Sequence, residues 1–149
     1  MILISDAEAM HQLGLEISKH LRAGDLVLLN GPLGAGKTTL ARGIGEGLGA
    51  SGTVQSPTFV LARTHKTKLG PKLVHVDAYR LSSAIELDDL DIDFENSVVV
   101  VEWARDYVDG QSDNWLSVEI SRAAESEKRS VIIQGHGERW QGVKIAAGY

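Results

Sequence analysis

The chain has 149 residues, a formal net charge of −5, no cysteine and 43% hydrophobic residues. That length suits one domain, 1–149, able to bury about two thirds of its unfolded surface, and the lack of cysteine excludes disulfides and thiolate metal sites. The acidic balance argues against a domain that clamps nucleic acid by phosphate neutralisation alone, and without a membrane-length apolar run or an export signal the expected location is the cytoplasm, with no membrane contact.

In chain order, Ser5-Asp6-Ala7-Glu8 has the form of a capping box, after which Met10, Leu13, Ile17 and Leu21 recur at helical spacing until Gly24. Asp25 to Asn30 is a short apolar run between Gly24 and Gly31, as expected of a strand buried on both faces of a parallel sheet. A helix is predicted from about Lys37, with Leu40, Ile44 and Leu48 on one face and a stop at Gly49. Gly43, Gly45 and Gly47 each cost such a helix about 1 kcal/mol relative to Ala, so close backbone packing against the sheet is expected to account for them.

Thr58 to Arg63 and Leu73 to Val76 flank a Lys-rich Gly-Pro connection and read as a pair of strands. Glu86 to Glu95 is acidic and Leu-dotted, a short helix and turn, and Ser97 to Val101 is a buried strand that ends at Glu102. Trp115 to Ser121 and Ser130 to Gln134 alternate as strands do, while residues 136–149 carry only weak signals and read as a tail outside a core of 1–135. The expected fold is α/β, a P-loop NTPase-like three-layer arrangement with a central mixed, largely parallel sheet flanked by helices.

Between the first buried strand and the second helix, residues 31–38 read Gly-Pro-Leu-Gly-Ala-Gly-Lys-Thr, the pattern G-x-x-x-x-G-K-[ST]. The chemistry follows from placement. Free N–H groups at Gly34, Ala35, Gly36, Lys37, Thr38 and Thr39 and the positive end of the helix dipole converge where phosphate oxygens would sit. Glycines let the main chain come close, Lys37 reaches the β and γ phosphates, the Thr38 hydroxyl is placed for Mg²⁺, and Thr39 adds a hydroxyl near the α phosphate.

Hydrolysis also needs carboxylates at the exits of neighbouring strands, where ligands collect in open α/β sheets. Val98 to Glu102 and Leu73 to Asp77 both have that form, an apolar strand with an acid at its end. Trp103 either covers part of the nucleotide or caps the core. His75 shares a face with Asp77 and reads as a structural group rather than a base. Charge is uneven: Arg63, Lys66, Lys68, Lys72 and Arg80 cluster, whereas ten carboxylates lie from Glu86 to Asp113 against the single Arg105. The Asn-Lys-x-Asp signature of GTPases is absent, which favours ATP.

The phosphate loop with its second threonine, Ser56-Pro57-Thr58-Phe59, His75-Val76-Asp77-Ala78-Tyr79-Arg80-Leu81 and Glu102-Trp103, in this order and spacing, resemble the bacterial TsaE (YjeE) family. These are small P-loop ATPases of threonylcarbamoyladenosine (t6A) synthesis in tRNA. The resemblance implies that Thr38 and Glu102 hold Mg²⁺, that Asp77 assists the metal or the attacking water, that Ser56 to Phe59 is a switch-like segment, and that Arg129 lies near the base end of ATP. It implies as partners the TsaB and TsaD subunits, with tRNA contacted only indirectly. Two positions depart from the family pattern: Pro32 stands where an acid is usual, and Ala9 where a Thr near the adenine is common. A small-molecule or nucleoside kinase and a nucleotide-dependent docking module with negligible turnover are the alternatives.

Overall fold

The computed structural model describes residues 1–32, 34–52, 62–68, 70–78, 92–103, 113–122 and 126–145. Among these residues seven strands, β1 (Ile2–Ile4), β2 (Leu26–Asn30), β3 (Ala62–His65), β4 (Lys72–Asp77), β5 (Ser97–Glu102), β6 (Trp115–Arg122) and β7 (Arg129–His136), form one sheet in the order β1-β7-β6-β2-β5-β4-β3. The four central strands β6, β2, β5 and β4 are parallel, and the outer pairings β1–β7, β6–β7 and β3–β4 are antiparallel. The sheet is thus mixed, with parallel pairing confined to its centre, where both faces are covered.

Burial follows the alternation of side chains. Val27, Leu29, Val98, Val100, Leu116 and Val118 face one core with Met10, Leu13, Ile17, Leu40, Ile44 and Leu48 of the helices α1 (Ala7–Ser18) and α2 (Lys37–Leu48). Leu26, Leu28, Val74, Val76, Val99 and Val101 point the other way and pack with Ile92 and Phe94, the latter opening a 3-10 turn, Phe94–Asn96. β2 is buried at every position, as its uninterrupted apolar run predicts.

Several expectations are corrected. The cap of α1 is Asp6, not Ser5: Asp6 is extended, with φ −159°, and its Oδ1 accepts from the Ala9 N–H at 2.8 Å. The helix ends at Ser18 rather than running to Gly24. Lys19, His20 and Leu21 donate to the carbonyls three residues back, which tightens the chain into 3-10-type turns. Leu21 still packs against the core, so its helical spacing survives the end of the helix.

Two of the three glycines of α2, Gly43 and Gly47, are explained by its neighbour helix and not by the sheet. A Cβ on Gly43 would overlap the His11 carbonyl oxygen, one on Gly14 would overlap the Leu40 carbonyl oxygen, and one on Gly47 would overlap the Ser18 hydroxyl. α1 and α2 therefore touch backbone to backbone, an approach that only glycine permits.

Residues 136–145 belong to the folded body. Trp140 is buried in the helix-side core, Val143 and Ile145 pack against it, and the Arg139 guanidinium makes two bonds of 3.0 Å to the buried Asp25 carboxylate and one of 2.7 Å to the His20 carbonyl. A short 3-10 turn, Glu138–Trp140, leaves no periodic pattern to read. β1 was also not expected, being a three-residue edge strand. Of the expected strand at Thr58 to Arg63 only 62–63 lie within the described residues, and of the acidic segment Glu86 to Glu95 only 92–95.

Candidate functional site

The loop after β2 turns because Gly34 and Gly36 take positive φ, 77° and 112°. Gly36 is the N-cap of α2 and the helix starts at Lys37, so the loop's N–H groups and the helix N-terminus share one concave side. Gly34, Gly36, Lys37, Thr38 and Thr39 line a cleft there with Glu102 and Trp103. Ala35, also expected at the site, is buried in the core and contributes only backbone.

Lys37 is only 4% exposed. Its ammonium donates to the carbonyls of Gly31 at 2.7 Å and Pro32 at 2.9 Å, and it sits 3.6 Å from the centre of the Trp103 ring. Burial lowers the lysine's affinity for its proton below the usual value, while the negative charges of Glu102 and Asp77 pull the other way. Trp103 therefore neither caps the core nor stands apart from the site: its backbone is left-handed, φ 64°, and its N–H still donates to Leu29 at 2.9 Å, so the chain turns sharply off β5 and brings the indole against Lys37. A positive φ on an aromatic residue is a strained conformation held by its surroundings.

β4 and β5 run parallel with Asp77 opposite Glu102, so the two strand-end acids expected from sequence stand side by side. Glu102 is 3% exposed, and the Thr38 hydroxyl donates to its Oε1 at 3.2 Å. Behind it, His75 Nε2 donates to Oε2 of the same carboxylate. The sequence reading placed His75 beside Asp77 but missed this bond. Only the pairing of β4 with β5 reveals it, since the in-register parallel strands put His75 diagonal to Glu102.

Arg129 comes from β7 and holds the outer side of the loop, its guanidinium donating to the carbonyls of Ala35 at 3.2 Å and Gly34 at 3.3 Å and to Ser126 at 2.8 Å. It thus lies against the phosphate loop, whereas the resemblance implied a place near the base end of the nucleotide. Arg122 reaches the same place, where a Cβ on Gly34 would come within 3.3 Å of its Nη1. The segments Ser56 to Phe59 and Tyr79 to Leu81 lie outside the described residues. No described helix is long and apolar enough to cross a membrane.

The family model described as threonylcarbamoyl adenosine biosynthesis protein TsaE matches residues 4–131. A Streptomyces coelicolor protein named tRNA threonylcarbamoyladenosine biosynthesis protein TsaE is 54% identical over 138 residues, covering 88% of this chain and 93% of that protein. Its namesake in Bacillus subtilis is 36% identical over 123 residues, 80% of this chain and 75% of the relative. The crystal structure of YdiB from Bacillus subtilis superposes with a TM-score of 0.77 at 28% identity, covering 94% of this chain and 87% of the other. The match spans the loop, both strand-end acids and His75, and by family model and relatives alike the chain belongs to the TsaE family.

Proposed function

We propose that this chain binds ATP with Mg²⁺ and hydrolyses it in the cytoplasm as the TsaE component of tRNA t6A synthesis, acting on the TsaB–TsaD complex and touching tRNA only through it. The observation that carries the reading is the meeting of Thr38, Glu102 and Lys37 at the mouth of the loop.

The oxygen pair fits the cation. Thr38 Oγ1 and Glu102 Oε1 lie 3.2 Å apart, close to the roughly 3.0 Å between adjacent ligands of an octahedral Mg²⁺ with bonds of about 2.1 Å. Thr38 and Glu102 are the residues that would hold the ion, and when bound it supplies charge neutralisation at the β and γ oxygens.

The chain's own groups do the rest. The N–H groups from Gly34 to Thr39 would donate to the phosphate oxygens, and their positions are set before the ligand arrives because α2 is anchored on α1 and on the sheet. Lys37, held at the loop by two carbonyls and the Trp103 ring, supplies the positive charge that would meet the γ phosphate as negative charge shifts toward the leaving oxygen. Asp77, beside Glu102, is the group that would assist the metal or the attacking water. Arg129 supports the loop from behind, and its reach to the base end of the nucleotide is part of the same proposal.

Turnover measured with and without TsaB and TsaD tests the proposal. Weak hydrolysis alone and faster hydrolysis with the partners is the expected result. Phosphate transfer to a small acceptor would favour a kinase, and nucleotide-dependent binding without turnover would favour a docking module.

A further inference from the structure

We infer that His75 is a positioning residue: its Nε2–H holds one oxygen of the Glu102 carboxylate so that the other stays aimed at Thr38 and the cation. The inference rests on the proposed role of Glu102 as a ligand of Mg²⁺.

Three observations lead to it. His75 is fully buried in the middle of β4, a strand otherwise apolar from Leu73 to Val76, and it lies opposite Val100. Its Nδ1 has no hydrogen-bond partner among the described residues. A buried imidazole with one nitrogen unpartnered is a poor choice for stability alone, because desolvation of that nitrogen is left uncompensated, and a β-branched apolar residue would fill a doubly covered strand better. The polar group has its counterpart at the other nitrogen, which donates to Glu102 Oε2.

The geometry of that contact then matters. The terminal torsion of a glutamate is broad, so an unrestrained carboxylate turns freely about its last bond. With His75 on Oε2, the oxygen nearer to Thr38 is Oε1, at 3.2 Å against 3.5 Å. The carboxylate is held from behind by β4, and Oε1 faces Thr38 at the start of α2. Groups that hydrogen-bond a metal-binding side chain in this way contribute about 10- to 100-fold to metal affinity or activity.

The test compares the parent with His75→Leu, which keeps the size and removes the donor, and His75→Gln, which keeps an N–H at similar reach. Calorimetric titration of Mn²⁺ into the ADP-saturated full chain reads the metal site without turnover. His75→Leu is expected to weaken Mn²⁺ about 10- to 100-fold while metal-free ADP affinity stays at the parent value, and His75→Gln is expected to recover most of the loss. Parent-like Mn²⁺ affinity in a folded His75→Leu overturns the inference alone. A parent that binds Mn²⁺ no better with ADP than without it overturns the reading of the cation site, and the inference with it. Long-range ¹H–¹⁵N spectra of the metal-free chain decide the case if His75→Leu does not fold: the Nε2–H tautomer is expected, with its resonance displaced by Glu102→Gln, and an unmoved resonance refutes the contact.

Discussion

Replacing Gly43 by Ala separates two explanations of the glycine-rich second helix by the sign of the effect. If the glycines of α2 were merely tolerated, alanine would stabilise the helix by about 1 kcal/mol through propensity. The structure says otherwise, because the added methyl would overlap the His11 carbonyl oxygen and stand 3.0 Å from the Gly14 Cα. Both obstacles are backbone, so relief requires α1 to move as a body. Overpacking of this kind costs about 1–3 kcal/mol; with rigid main chain on the receiving side the upper end applies, and after the propensity gain a net loss of about 2 kcal/mol remains. In a domain near 150 residues each kcal/mol shifts the melting temperature by roughly 2–4 °C, so a fall of about 4–8 °C is expected by calorimetry or circular dichroism. Nucleotide affinity should fall as well, since α2 carries Lys37, Thr38 and Thr39 at its start. A melting temperature equal to or above that of the parent would refute the backbone-contact account.

Lys37→Ala removes a charge-assisted contact worth about 1.5–3 kcal/mol, so ATP should bind roughly 10- to 150-fold more weakly; unchanged calorimetric affinity in a folded variant refutes the phosphate-loop assignment. Glu102→Gln keeps the side-chain size and removes its charge, and Mg²⁺-dependent hydrolysis should drop at least about tenfold with nucleotide still bound. Hydrolysis at the parent rate would move the cation elsewhere, with Asp77 the first candidate. Burial lowers the Lys37 pKa below the ordinary 10.5, whereas phosphates placed beside it favour the ammonium form and raise it again. Nucleotide affinity should therefore be flat below the lowered value and fall as pH rises through it, with net proton uptake on binding in that alkaline window. Calorimetry in buffers of different ionisation enthalpy measures the uptake, and its absence in the parent, or its persistence in Lys37→Ala, contradicts the argument.

What consecutive residues dictate was legible without coordinates. The pattern from Gly31 to Thr38 contains its own geometry, since Gly34 and Gly36 are where the chain takes positive φ and Lys37 is where the helix begins. The apolar runs of β2 and β5 announce strands covered on both faces, and the acids at the ends of β4 and β5 follow from the same reading. The tertiary structure decided which groups meet. Thr38 and Glu102 are 64 positions apart, and they touch because β5 lies beside β2 in parallel register. The bonds from His75 to Glu102 and from Arg129 to the loop carbonyls arise likewise from strand order. Gly43 and Gly47 could be read as a need for close approach but not as an approach to α1, and the buried Trp140 left no repeat to find. Backbone conformation is set by neighbours in the chain, and its traces are periodic. The choice of partner across a sheet is set by which faces exclude water together, and that depends on the whole chain at once.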